Sequence, residues 1–344
     1  MLLLAAALAA QAPGPSFPCE RATAPQEKLV CSRRTLAKAD LEMDSAYRGA
    51  LARLSPAGRR QLQLSQNAWL RLRNAVCPLG RRDPPNRQST ETCLHTRYDQ
   101  RTSQLNEAVR QFGPFRVVRL DGYEVWPAPG RPAWYDAFVT NEERFDWIDV
   151  DAAPAPLRPA ARSWNAGLAR RPATAGGRWR LHGQARVRVD DGSSYGPETD
   201  SGRDLQIFAA SSDAIVSREE DYWMGSAHPE ENIRYETLLL RERRAMRFGD
   251  LLTRPAEWGR FAKRRVMAVP PMSGVKDWPW SHLPQTAQDP GSLLPGPAGL
   301  TVNFGTPLGR PSGEVTLELS WKEVEPFLSP KGRRIAAGFR RQGR

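Results

Sequence analysis

Cysteine and histidine, the residues that most often build metal and redox centres, are scarce: four of each occur in 344 residues. No two cysteines stand in a C-x-x-C pair, and His95, His182, His228 and His282 are scattered, so neither a zinc site nor any other cofactor is expected. Also missing downstream is any apolar run of the roughly 20 residues that a membrane-spanning helix needs. A shorter run, Leu2 to Ala10, does open the chain and ends in small residues before Pro13, Pro15 and Pro18. That is the form of a signal-peptide core and cleavage site, with residues 1–10 removed by a cut after Ala9 or Ala10. No Lys or Arg precedes the run, and no Cys directly follows the small residues, which argues against a lipoprotein anchor. The expectation is a periplasmic or secreted mature chain with no transmembrane segment.

What cysteine there is agrees with export. Cys19, Cys31, Cys77 and Cys93 fall in the first third of the chain, an even number in one segment, as in the disulfide framework of an oxidising compartment. The same segment has helical periodicity. Thr23 with Gln26 reads as a capping box ahead of a short helix from Pro25 to Cys31. Leu36, Leu41, Met43, Tyr47, Ala50, Leu51 and Leu54 then recur at helical spacing. Ser55-Pro56 ends that helix and starts the next, because Ser caps well and Pro at the first helical position loses no needed N–H. The third helix runs through Leu62, Gln66, Trp69, Leu70 and Arg73 to Cys77, and Ser89 or Thr90 caps a fourth carrying Cys93, Tyr98, Leu105 and Val109. Four cysteines allow three pairings. In an antiparallel hairpin Cys77 and Cys93 approach across the loop, which favours that bridge and leaves Cys19 to tie the N-terminal arm to Cys31.

The string Gln66-Asn67-Ala68-Trp69-Leu70-Arg71-Leu72-Arg73-Asn74-Ala75-Val76-Cys77 has the pattern Q-x-x-W-L-x-x-R-x-x-x-C. With Ala39-Asp40-Leu41 before Tyr47, the early pair Cys19 and Cys31, and Cys93 followed by Arg101 and Leu105, residues 17–112 resemble LprI-type lysozyme-inhibitor domains. The resemblance implies a small disulfide-stapled helical bundle and a protein partner, lysozyme or another cell-wall enzyme. The residues themselves read as fold determinants. Trp69 on an apolar face is a core residue, and Asp40 and Arg73 suit an interhelical ion pair, so Asp40, Tyr47, Gln66, Trp69, Arg73 and Arg101 are expected to be structural.

From Gly113 the texture changes to short alternating runs broken by Pro, Gly and Asp, which predicts an α+β domain with an antiparallel sheet over 113–330. Strands are predicted at Phe115 to Val125, Arg178 to Val189, Leu205 to Val216, Arg234 to Leu240 and Glu314 to Leu319, and helices at Ala161 to Ala169 and Ala256 to Arg265. A strand leading into Tyr222-Trp223-Met224-Gly225-Ser226-Ala227-His228-Pro229, the Phe248-Gly249-Asp250-Leu251-Leu252 turn, Gly299 to Phe304, and Trp321 to Leu328 follow in order. Over residues 160–330 this order resembles the C-terminal domain of RsiV-type anti-sigma factors and PdaC-type deacetylases, which implies lysozyme binding without a catalytic domain. Tyr222, Trp223 and His228 are the candidate partner contacts, since exposed loop aromatics are enriched at interfaces. His228 has Asp221 or Glu230 as an orienting partner, but no nucleophile is identifiable, and the Ala-His-Pro turn is read as fixing loop geometry. Glu219 and Glu220 are adjacent on a strand and so point to opposite faces, which rules them out as a glycosidase pair. No enzyme activity is expected.

Net charge is +12 and uneven. Residues 19–112 hold 17 Lys and Arg against 9 Asp and Glu, and Lys331 to Arg344 holds six basic residues and no acid, which reads as a disordered basic tail. Animal-type lysozymes are basic, so the charge fits an anionic glycan or lipid headgroup better than the partner the resemblance implies. Nucleic acid is not expected in an exported chain without an aromatic-basic motif. Two functions therefore stand: an envelope protein that binds or inhibits lysozyme or another cell-wall enzyme, and a structural or adhesive protein that holds anionic surface polymer.

Overall fold

The structure, a computed structural model, describes residues 14–77, 89–127, 138–168, 186–187, 201–223, 230–268, 281–305 and 314–342. The leader at 1–10, most of the Arg178–Val189 segment and His228 lie outside these residues. The described chain forms two compact units. One holds residues through Val109 together with 122–127, 138–141 and 186–187; the other holds 110–121, 142–168 and 201 onward.

The first unit is built on α1 (Pro25–Ser32), α2 (Arg34–Ala52), α3 (Pro56–Val76) and α4 (Thr90–Glu107). Ser55 and Ser89 cap α3 and α4, their hydroxyls each accepting a first-turn N–H at 3.2 Å. Leu36, Leu62, Leu94, Tyr98 and Leu105 are fully buried between the helices. Cys19 bonds to Cys31 and Cys77 to Cys93, with Cα atoms 5.8 and 5.7 Å apart. Two local details differ from expectation. The start of α1 is capped by the Glu27 carboxylate, which accepts from the N–H groups of Thr23 and Ala24 at 3.0 Å, while Gln26 turns inward and donates to Asn74 and Cys77 carbonyls at the end of α3. A buried amide that fastens two helices is better satisfied there than at a cap. The last helix stops at Glu107, and Val109 opens a strand instead.

The larger sheet contains β1 (Val109–Phe112), β2 (Phe115–Pro127), β3 (Phe138–Ile148), β4 (Arg186–Val187), β5 (Ser201–Ala210), β6 (Ala214–Trp223), β7 (Glu230–Leu239) and β8 (Arg244–Ala245). Strand order is β1-β2-β3-β5-β6-β7-β8, with β4 paired parallel to β2 and β5 through β8 antiparallel. A second antiparallel sheet is formed by β9 (Leu293–Pro295), β10 (Gly299–Asn303) and β11 (Thr316–Ser320), with β10 in the middle. Helices α5 (Arg158–Leu168), α6 (Phe248–Leu251), α7 (Pro255–Met267), α8 (Leu283–Thr286), α9 (Trp321–Val324) and α10 (Pro330–Arg340) complete the second unit. Its core joins Val216 and Leu239 of the large sheet to Trp258, Val302, Leu317, Ile335 and Phe339. The Trp258 indole donates to the Ala287 carbonyl at 2.7 Å, so burying its N–H carries no unsatisfied-donor cost. Separately, Asp146 is fully buried and accepts from Arg110 at 2.6 Å, Arg119 at 3.3 Å and the Ile207 N–H at 2.7 Å. Burial pushes its carboxyl up despite the two arginines that pull it down.

Three expectations are corrected. Leu205 to Val216 is a hairpin, broken where the Ser211 hydroxyl accepts from the N–H groups of Asp213 and Ala214 at 3.1 Å, a local bond that competes with the strand ladder. The final strand is Thr316–Ser320, and Trp321 starts a short helix because Ser320 and Glu323 cap each other. The basic tail is ordered: α10 buries Ile335, Ala336 and Phe339. Three of its six charges meet acids from elsewhere, Lys331 with Glu242 and Asp250, and Arg333 and Arg340 with Glu325.

Candidate functional site

The family-motif residues of the helical unit form a buried polar spine. The Arg73 side chain is 3% exposed, donates to the Tyr98 hydroxyl at 2.6 Å, and lies 5.6 Å from the Trp69 ring centre. Tyr98 also hydrogen-bonds the Asp40 carboxylate, which accepts the Ser16 N–H at 2.7 Å. Arg73 and Asp40 are therefore linked through a phenol. Burial, more than any neighbouring charge, pushes the Tyr98 hydroxyl far up. Arg101, 1% exposed, donates to Gln66 at 2.9 Å and to Ser65 at 3.3 Å, while Gln66 reaches Met43 and the hydroxyl of half-buried Tyr47 is raised by desolvation. Asp40, Gln66, Trp69, Arg73 and Arg101 are buried inside the bundle, and Tyr47 is partly exposed.

A different set of residues surrounds an open cavity of about 720 Å³ in the second unit. Strand alternation puts Ser217, Glu219 and Asp221 of β6 on one face, paired in register with Arg203 of β5 and with Asn232 and Arg234 of β7. Arg203, 5% exposed, contacts the Glu219 carboxylate and lies 3.2 Å from that of Asp221; Arg234 lies 2.7 Å from Asp221 and 3.8 Å from Glu219. Ala245, Met246 and Pro290 line the cavity as well. The Tyr235 side chain lies on the other face of β7, its ring edge-on to Phe208 and its hydroxyl donating to Glu314 at 2.7 Å, with its pKa pushed up to about 12 by burial and that carboxylate.

Glu219 and Glu220 do point opposite ways, since Glu220 pairs with Arg218 while Glu219 faces the cavity. The pair sharing a face is Glu219 and Asp221, two residues apart. Both carboxylates are matched to guanidinium groups, an arrangement that suits the holding of polar groups. Of the candidate contacts at the end of β6, Tyr222 is half-buried and its ring fills the space that a Cβ on Gly202 would need. Tyr222 thus covers a cross-strand glycine on the face opposite Asp221. Trp223 is the last residue of β6, and His228 lies outside the described residues. Arg203, Asn232 and Arg234 were not singled out from sequence. The signal that could have found them is the i, i+2 alternation of Glu219 with Asp221 and of Asn232 with Arg234.

Among the described residues no group of three or more His, Cys, Asp or Glu is placed to hold a metal ion, and no helix is long and apolar enough to cross a membrane. Residues 19–105 match the family model described as lysozyme inhibitor LprI, so the helical unit is similar to the domain of that family. Two solved structures match part of this chain. One is a DUF3298 family protein from Pseudomonas aeruginosa PAO1, 12% identical, covering 63% of this chain and 96% of that one with a TM-score of 0.41. The other is a DUF3298 family member from Bacteroides fragilis NCTC 9343, 13% identical, covering 67% and 100% with a TM-score of 0.44. No curated protein matches the chain. The two disulfides and the LprI-type domain fit an extracytoplasmic protein.

Proposed function

We propose that this protein is exported and acts in the cell envelope as a non-catalytic binding protein, whose LprI-type domain binds or inhibits lysozyme or another cell-wall enzyme. The observation that carries the reading is the family match over residues 19–105, with both disulfides of the domain in place. The buried Arg73–Tyr98–Asp40 and Arg101–Gln66 links support it indirectly, because they make the motif a scaffold that fixes an outer surface. The test is to measure binding to, and inhibition of, basic and acidic lysozymes by the oxidised chain across salt concentrations. Saturable inhibition that is lost on reduction supports the reading, and absence of binding to any of these lysozymes at every salt concentration defeats it.

A second reading is retention of anionic surface polymer. The excess of basic residues over 19–112 favours it, and Arg34, Arg60 and Arg71 of the helical unit are exposed. Binding of wall teichoic acid or anionic vesicles that weakens steeply with salt would favour it over enzyme inhibition.

A further inference from the structure

We infer that the cavity over β5, β6 and β7 is a binding site for an uncharged, polyhydroxylated ligand, a short saccharide. The site belongs to the second unit and does not depend on the lysozyme reading of the first. Its volume of about 720 Å³ is that of an ordinary small-molecule pocket, for which ~300–1,000 Å³ is typical.

The charges select the ligand. Arg203 and Arg234 are interleaved with Glu219 and Asp221, so each of these four groups already has a counter-ion within 4 Å, and Glu236 adds a further acceptor to the lining. An anion entering here must pull a guanidinium from its carboxylate, and a cation must do the reverse. A hydroxyl group has neither problem, because it accepts from a guanidinium N–H and donates to a carboxylate oxygen in the same place. Such bonds are charge-assisted, and their protein partners are held in position by one another before the ligand arrives. Arg203, Glu219 and Asp221 have side chains 5, 12 and 13% exposed, which strengthens each bond relative to water. Asn232 adds an exposed amide that both donates and accepts. The apolar wall of Met246 and Pro290 offers a surface to the C–H face of a sugar ring. As a device for stability alone the cluster is poorly made, since desolvating Arg203, Glu219 and Asp221 costs more than packing apolar side chains there.

Calorimetry on the oxidised full-length chain tests the site with cellobiose, maltose and N,N′-diacetylchitobiose, using inorganic phosphate and glycylglycine as anionic and zwitterionic controls. At least one disaccharide should bind saturably, with an affinity that does not change from low to high salt. Asn232→Ala and Arg234→Met, both at exposed positions and checked for native circular dichroism, should each weaken it about tenfold, the loss of one charge-assisted or amide bond. Lysozyme inhibition, if present, should be unchanged in both variants, so the two readings fail separately. No disaccharide binding by the folded chain, binding that neither variant alters, or uptake of only phosphate or glycylglycine overturns the inference.

Discussion

Phe339→Ala tests whether the C-terminal segment is core or tail. The ring is fully buried in a cluster with Trp258, Leu252 and Ile335, near the end of an eleven-residue helix. Truncating a buried Phe costs roughly 3–5 kcal/mol through lost transfer energy and the cavity left behind. A terminal helix can shift to refill part of that space, so the lower end, about 3 kcal/mol, is expected. Arg334→Ala on the same helix is the control: its side chain is exposed and the change should stay within ~0.5 kcal/mol. Urea unfolding followed by near-ultraviolet circular dichroism reads both, because Trp258 and Trp321 lie in the same core. A lower midpoint at constant slope is the signature of lost stability. If Phe339→Ala costs under about 1 kcal/mol, or no more than Arg334→Ala, the helix does not belong to the core and the reasoning fails.

Three further outcomes follow. Reducing the Cys77–Cys93 bridge, which closes a loop of sequence separation 16, should destabilise the helical unit by about 3 kcal/mol, seen as a lower thermal midpoint in dithiothreitol. Tyr98→Phe removes one bond to Arg73 and one to Asp40 while keeping the edge-on stack with Trp69, and should cost about 2–3 kcal/mol in chemical unfolding; a neutral result would mean that Asn74 and water replace both bonds. Asp250 is held well below its ordinary carboxylate range chiefly by Arg244, with Lys331 adding to it. Because its folded pKa is depressed, the stabilisation is fully present above the usual value of 3.8 and is lost as pH falls below it. The gap in thermal midpoint between wild type and Asp250→Asn should therefore shrink on acidification from pH ~6 to ~3, and a gap that stays constant would refute the linkage.

The helical unit was legible because its signals are local. Ser55-Pro56, the apolar spacing of α2 and α3 and the position of the cysteines each act within a few residues, and the disulfides follow from helix order. The second unit is set by long-range pairing, which one sequence does not display. Nothing in Leu205 to Val216 forces a continuous strand over a hairpin until the Ser211 hydroxyl is seen bonding two N–H groups in the turn. Ser329-Pro330 repeats the start signal of Ser55-Pro56, yet six basic charges argue for a solvated tail, because Glu242, Asp250 and Glu325, the acids that pair with Lys331, Arg333 and Arg340, are distant in sequence or on another element. The cavity was hidden for the same reason: attention to adjacent carboxylates missed Glu219 and Asp221, and Arg203 meets them only through strand register.

Charge also decides what the lysozyme experiment means. The helical unit is basic, and several of its arginines are already committed: Arg33 to Glu91, Arg48 to Asp44, and Arg59 to the carbonyls that end α2. Arg34, Arg60 and Arg71 remain exposed, so the outer field stays positive. A basic lysozyme would approach against that field, and added salt, by screening it, should speed association. An acidic enzyme or an anionic polymer would be drawn in, and the same salt should weaken binding. Affinity for a basic partner must then come from desolvated, shape-matched contacts at the centre of the interface, with the charges only setting the rate. The sign of the salt dependence of the association rate therefore separates the two proposed functions even where both partners bind.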